Sequence, residues 1–195
     1  NESSAVLKHT LDSTEYYITL HWEGKATLNE KVKHCFVLTP MDDHLAFACA
    51  FTSTPPSMQP VTVAQTQEEA KNYWNSFWKE GAAVDFSSCT DSRAKELERR
   101  VVLSQYLLAI QSAGTTPPQE TGLTYNSWFG KFHLEMIWWH EAQFALWNRS
   151  NLLDRTLAWY EKAEPMARQI AQRQGFDGVR WMKIPTRQEQ KLPLK

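Results

Sequence analysis

Between residues 16 and 52 the chain alternates short apolar runs with polar breaks of the kind that make strands. Tyr16-Tyr17-Ile18-Thr19-Leu20-His21-Trp22 is β-branched and aromatic, and Glu23-Gly24-Lys25 follows with turn chemistry. His34–Thr39 stops at Pro40, and Met41-Asp42-Asp43 reads as a hairpin connection into the mostly apolar run Leu45–Thr52. Three strands do not make a stable sheet without partners. Residues 1–63 are therefore expected to be the end of an N-terminal β-sandwich, or a sheet completed by packing on helices.

After the proline-rich stretch Pro55–Pro60 the apolar period changes from two to that of a helix. Ala70, Tyr73, Trp74, Phe77 and Trp78 predict a helix over 67–79, with Gly81 as its stop. Leu97, Val101, Leu103, Leu107, Leu108 and Ile110 form one face of a second helix over 92–113, capped by Asp91 or Ser92 and ended by Gly114. A loop rich in Pro, Gly, Thr and Asn leads to a predicted helix over 132–149, aromatic almost all round and so expected to be buried on several sides. Asn151 is positioned to cap a helix running to about Lys162, and Pro165 to open another that ends near Gly175. Strands followed by consecutive helices define an α+β chain, here divided into 1–63, a helical linker 64–90, and a helical domain 91–195.

Composition changes this picture in one respect. Nine tryptophans stand beside nine Phe and six Tyr, which is either a heavy aromatic core or a set of flat platforms suited to the faces of sugar rings. The 21 basic and 22 acidic residues give a net charge of −1, no footprint for a nucleic acid. No apolar run approaches the ~20 residues that span a bilayer. Asn1-Glu2-Ser3-Ser4 lacks the basic and apolar regions of a secretory signal, yet is compatible with a trimmed start, so compartment stays open. Cys35, Cys49 and Cys89 are too scattered for a disulfide framework or a zinc site, and the first two read as buried small hydrophobes.

Chemistry concentrates in two stretches. In the first, a loop with Tyr125, Asn126 and Trp128 feeds Lys131, His133, Glu135 and His140. On a helix Lys131, Glu135 and Trp138 share one face, and His133, Ile137 and His140 another. Donors, a carboxylate and indole planes are what a neutral, hydroxyl-rich ligand requires; the same residues equally make a satisfied network locking helix to helix. His133 and His140 are seven residues apart with no third ligand near, so no metal site is expected. No cofactor is expected either. In the second stretch, Gly175 and Gly178 frame a helix exit that carries Arg180 and Trp181 on a loop, either as a C-cap with a Phe176 contact or aimed at the same pocket as the first.

Together these stretches resemble the six-hairpin glycosidases, and within them the maltose and kojibiose phosphorylase and acid trehalase-like enzymes. Trp128-Phe-Gly-Lys-Phe-His-Leu-Glu-Met is similar to that family's motif opening the second barrel helix, and Gly175-Phe-Asp-Gly-Val-Arg-Trp to its loop after the third. The resemblance covers roughly 65–185 and implies a β-sandwich followed by the first helical hairpins of an (α/α)6 toroid. It implies an inverting glycoside hydrolase acting on an oligosaccharide or glycoside, secreted or periplasmic. Trp128, Lys131, His133, Glu135, Trp138, Arg180 and Trp181 would line the sugar pocket, with Glu135 holding a hydroxyl. Where the phosphorylases carry Trp-Asp-Thr-Glu, this chain has His133-Leu134-Glu135-Met136, and Val179 and Met182 replace a small residue and a proline. The family's general acid and base lie on later helices; Glu135, Glu141 and Asp85, the last expected at the rim of the barrel mouth, do not form a pair. Helix faces that later hairpins would cover are expected to favour self-association.

Overall fold

A computed structural model describes residues 3–56, 61–121 and 128–184. Tyr125 and Asn126 of the first motif, and the tail from Pro185, lie outside the described residues. The chain divides into two compact units, Asn1–Ser76 and Phe77–Lys195.

The first unit holds five strands: β1 (Ser4–Leu11), β2 (Thr14–Glu23), β3 (Ala26–Val32), β4 (Cys35–Pro40) and β5 (Ala46–Thr52). β1-β2-β5 form one antiparallel sheet and β3-β4 a second. β1 and β2 close through Asp12 and Ser13, with Asp12 in the left-handed region at φ 52°, a conformation that aspartate tolerates. The 41–43 stretch is not the hairpin turn expected of it. β4 pairs back on β3, and β5 returns to β2 with Trp22 opposite Phe47. The pairing is that of one long hairpin broken at Gly24-Lys25 on one arm and at residues 41–45 on the other. Cys35 and Cys49 are exposed rather than buried, and Phe47 and Phe51, which share a strand face with Cys49, are exposed as well.

Helix α1 (Val63–Glu80) starts four residues before the expected residue 67, and Thr62 explains why. The Gln65 amide donates to Thr62 Oγ1 at 3.2 Å, and the Thr62 amide to Gln65 Oε1 at 3.0 Å, a reciprocal capping box. Helix α2 (Ala94–Ser112) occupies its expected place but is turned over. Ala94, Gln105, Ala109 and Ser112 are buried, whereas Leu97, Leu103, Leu107 and Ile110 are exposed. At Gln105 this inward face meets Arg149. Its guanidinium donates to Gln105 Oε1 (2.8 Å) and to the Phe77 carbonyl (3.0 Å), and lies 3.9 Å over the Phe77 ring.

The expected helix over 132–149 does not form as one piece. Phe132 bridges Gln119, the His133 amide donates to the Pro118 carbonyl and the Leu134 amide to the Lys183 carbonyl. These bonds draw residues 132–134 onto the 114–121 loop and Lys183 in a non-helical bridge, and the Met136 amide reaches back only to the His133 carbonyl, at 2.9 Å. Helical structure begins at Met136, passes through a π-helical turn Ile137–Glu141 and ends in the short α3 (Ala142–Leu146). Trp138, Trp139 and Leu146 are exposed, against the all-round burial expected.

Helix α4 (Ser150–Arg173) runs unbroken through Pro165. Pro165 lies on the solvent side beside Glu161, so the carbonyl left without its helical partner can be hydrated. The inner face of α4 is Leu152, Thr156, Trp159, Ala163, Ala167, Ile170 and Ala171. Its end is a Schellman motif: the Phe176 amide donates to the Ala171 carbonyl at 2.9 Å around Gly175 at φ 77°.

Candidate functional site

Two segments distant in sequence meet beside the core of the second unit. Leu134, Trp159 and Ala163 form a buried cluster, with Phe132, Tyr160 and Trp181 packed against it. Over this cluster the Leu134 amide donates to the Lys183 carbonyl at 2.8 Å, and Lys183 Nζ sits 3.0 Å from Glu135 Oε1. The loop after α4 and the segment before the π-helical turn are thereby fastened edge to edge.

Trp128 begins a 3-10 turn with Gly130 as its last residue, and both are in the left-handed region, at φ 50° and 65°. For a tryptophan this conformation is strained, and the indole it presents is more than half exposed, at 57%. Its ring packs edge-on to His133, centroids 6.0 Å apart. His133 is itself buried at 2% exposure, with Nε2 3.6 Å from Glu120 Oε2. His140 Nε2 lies 3.1 Å from the Glu120 carbonyl oxygen. Glu120 was not among the residues read from sequence; nothing in its local pattern marks it, and only folding of the 114–121 loop against 131–141 brings it to both histidines. A hollow of about 230 Å³ opens beside it, lined among others by Gly114, Thr116, Pro118, Gln119, Gly130 and Phe132.

The expected site residues therefore separate. Trp128, His133 and Glu135 share one region, and Lys131, exposed, belongs to the same turn, its amide donating to the Trp128 carbonyl at 3.2 Å. Lys131, Glu135 and Trp138 do not share a helix face, because residues 131–135 are not helical. Glu135 pairs with Lys183, not with Lys131. Trp181 is a packing residue, 5.1 Å from Tyr160 and 6.2 Å from Trp159 between ring centroids. Arg180 lies over the Phe176 ring at 4.6 Å, the C-cap contact rather than the pocket. Trp138 is 72% exposed, and its amide donates to the Glu135 carbonyl at 3.3 Å.

The two remaining carboxylates have partners of their own. Asp85 Oδ1 accepts from the Ser87 amide at 2.9 Å, which holds its carboxyl below the usual range. The adjoining Phe86 amide donates to Glu98 in the second turn of α2, which at 1.5 Å per residue is about 20 Å from the loop that follows this helix. Asp85 is not at the rim of the site. Glu141 is fully buried, its Oε1 3.0 Å from Thr156 Oγ1, and burial pushes its carboxyl up to about 8. A groove of about 850 Å³ along α2, lined among others by Trp78, Leu103 and Tyr106, is formed by none of these residues.

Among the described residues no helix is long and apolar enough to cross a membrane, and no cluster of His, Cys, Asp and Glu is arranged to hold a metal ion. No protein-family model, no curated protein and no solved structure matches the chain.

Proposed function

We propose that the face formed by Trp128, Lys131, Glu135 and Lys183 binds a sugar, and that the chain is the sugar-binding part of an inverting glycoside hydrolase of six-hairpin type. In this reading residues 1–63 are a β-sandwich portion, 64–90 a linker, and 91–195 the opening hairpins of an (α/α)6 toroid. The observation that carries it is the tie between Leu134 and Lys183, which sets the two stretches of the resemblance side by side. Glu135 Oε2 accepts from a sugar hydroxyl, the Lys183 and Lys131 ammonium groups donate to others, and the exposed Trp128 indole covers an apolar ring face. Arg180, Trp138 and Trp181 contribute little to it.

Inverting hydrolysis needs an acid and a base about 6.5–9.5 Å apart across the scissile bond. Glu141 is sealed from solvent and Asp85 belongs to the other end of α2, so this chain by itself is expected to bind and not to turn over. The same observation favours a second reading, a non-catalytic carbohydrate-binding module. Titration of tryptophan fluorescence with mono- and oligosaccharides tests both, and release of aryl glycosides separates them. Absence of quenching by any sugar at millimolar concentration, in the wild type, would leave a structural helical domain as the reading.

A further inference from the structure

Thr156 Oγ1, itself fully buried on α4, faces three oxygens: Glu141 Oε1 at 3.0 Å, and the carbonyls of Gly114 and Thr116 at 3.4 Å each. A hydroxyl has one proton. If Glu141 is a carboxylate, that proton must go to it, and both loop carbonyls lose their donor. Its second oxygen, Oε2, is buried with no hydrogen-bond partner, and it would then carry half of an unpaired charge, among the costlier arrangements in a protein interior. If Glu141 is a carboxylic acid, Oε1–H donates to a Thr156 lone pair, the Thr156 proton serves the loop carbonyls, and Oε2 is a neutral carbonyl oxygen.

We propose that Glu141 is the hydrogen-bond donor to Thr156, and that this single proton clamps the 114–121 loop onto segment 131–141, so that its loss at alkaline pH loosens one side of the candidate site from the other. The clamp stands independently of which ligand the face takes. Gly114 and Thr116 line the hollow beside Phe132, and the same loop carries Glu120 to His133 and His140.

The charges around Glu141 do not offer a counter-ion. On α4 the nearest titratable group is Tyr160, whose phenol is pushed up to about 12 by burial and then by the Glu141 charge. Arg155 on the same helix is occupied at the exposed Ala113 carbonyl, 3.4 Å away. His140 and His133 on the neighbouring segment lie against Glu120, and Arg149 is bound to Gln105 on the buried face of α2. Among the described residues none of these cations pairs with Glu141. Desolvation, the largest influence on this carboxyl, acts in the direction the hydrogen-bond count requires.

The test uses the whole chain with ¹³C-labelled glutamate side chains, followed by NMR across pH. One carboxyl carbon, absent from the Glu141→Gln spectrum, is expected to remain protonated at about pH 6, where ordinary glutamates are ionised. Hydrogen exchange supplies the second readout. Protection of the His133 amide, which donates to the Pro118 carbonyl of that loop at 3.0 Å, corrected for intrinsic base catalysis, should fall about tenfold per pH unit above the midpoint in the wild type. It should be flat in Glu141→Gln, whose amide still donates to Thr156. A Glu141 carboxyl that titrates with the other glutamates overturns the proposal, even if Glu141→Gln does not fold. So does pH-dependent loop opening that persists in Glu141→Gln.

Discussion

Lys183 Nζ lies 3.0 Å from Glu135 Oε1, and one residue earlier the Leu134 amide donates to the Lys183 carbonyl. The backbone bond holds the two segments whether or not the side chains pair. Both side chains are about half exposed, at 61% and 49%, so the ion pair is screened by solvent and worth about 0–1 kcal/mol.

Glu135→Gln should therefore leave the thermal unfolding midpoint nearly unchanged while abolishing quenching of tryptophan fluorescence by any sugar that quenches the wild type. A drop of several degrees with sugar affinity intact would assign Glu135 to structure alone.

Gly81 and Arg149 make the opposite case. A Cβ added at Gly81 would run into the Arg149 guanidinium, which is committed to Gln105, to the carbonyls of Phe77 and Trp147, and to the Phe77 ring. Gly81→Ala should destabilise by about 1–3 kcal/mol, the range for overpacking, read by urea denaturation. In the Arg149→Met background the same substitution should cost much less, since the obstacle is gone. Additive losses would mean that the two residues do not meet.

The same arginine shows where sequence pattern stops being informative. Strands β2 and β5 and helices α1 and α2 were legible because their apolar periods are local. The facing of α2 was not, since its leucine stripe outweighs Ala94, Gln105, Ala109 and Ser112 in any count of hydrophobicity. At Gln105 that inward face meets a guanidinium more than forty residues away. The break at 132–135 was hidden for a like reason: the Phe132–Gln119 bridge and the bonds to Pro118 and Lys183 hold residues 132–134 against segments whose approach no spacing encodes. The chemistry of Trp128, His133 and Glu135 singles them out in the sequence, while Glu120 reaches His133 and His140 only because the loop folds back. Arg180 and Trp181 were read as site residues because Gly175 and Gly178 mark an exit, yet the exit turns them onto Phe176 and Tyr160.

Pro165 gives a prediction of stabilisation. It stands in the interior of α4 on the solvent face and denies the Glu161 carbonyl its helical partner. Proline in a helix interior costs up to about 3 kcal/mol. Part of that is offset here by hydration and by the lower entropy of the unfolded chain, so Pro165→Ala should raise stability by about 1–2 kcal/mol. A lower melting temperature in the variant would show that the Pro165 ring contributes more to the folded chain than the lost hydrogen bond costs.

Two carboxyls should shape the pH dependence of stability with opposite signs. Hydrogen bonds from Arg99 and then Arg100 hold the exposed Glu96 down to about 2, from an ordinary value of 4.5. Its folded-state value is lowered, so its contribution is present above pH 4.5 and lost as pH falls toward about 2. Glu141 is raised by burial, from 4.5 to about 8. Between those values the folded chain holds a proton that the unfolded chain has released. Stability must then fall as pH rises through this window and level off above it. Melting temperatures of the wild type and Glu141→Gln, measured across pH and subtracted, isolate the second effect. The difference should be constant below pH 4.5 and above about 8, and should shift steadily against the wild type between them. A difference that is flat across the whole range would mean that Glu141 is ionised in the folded chain, with a cationic partner or water reaching its buried oxygen.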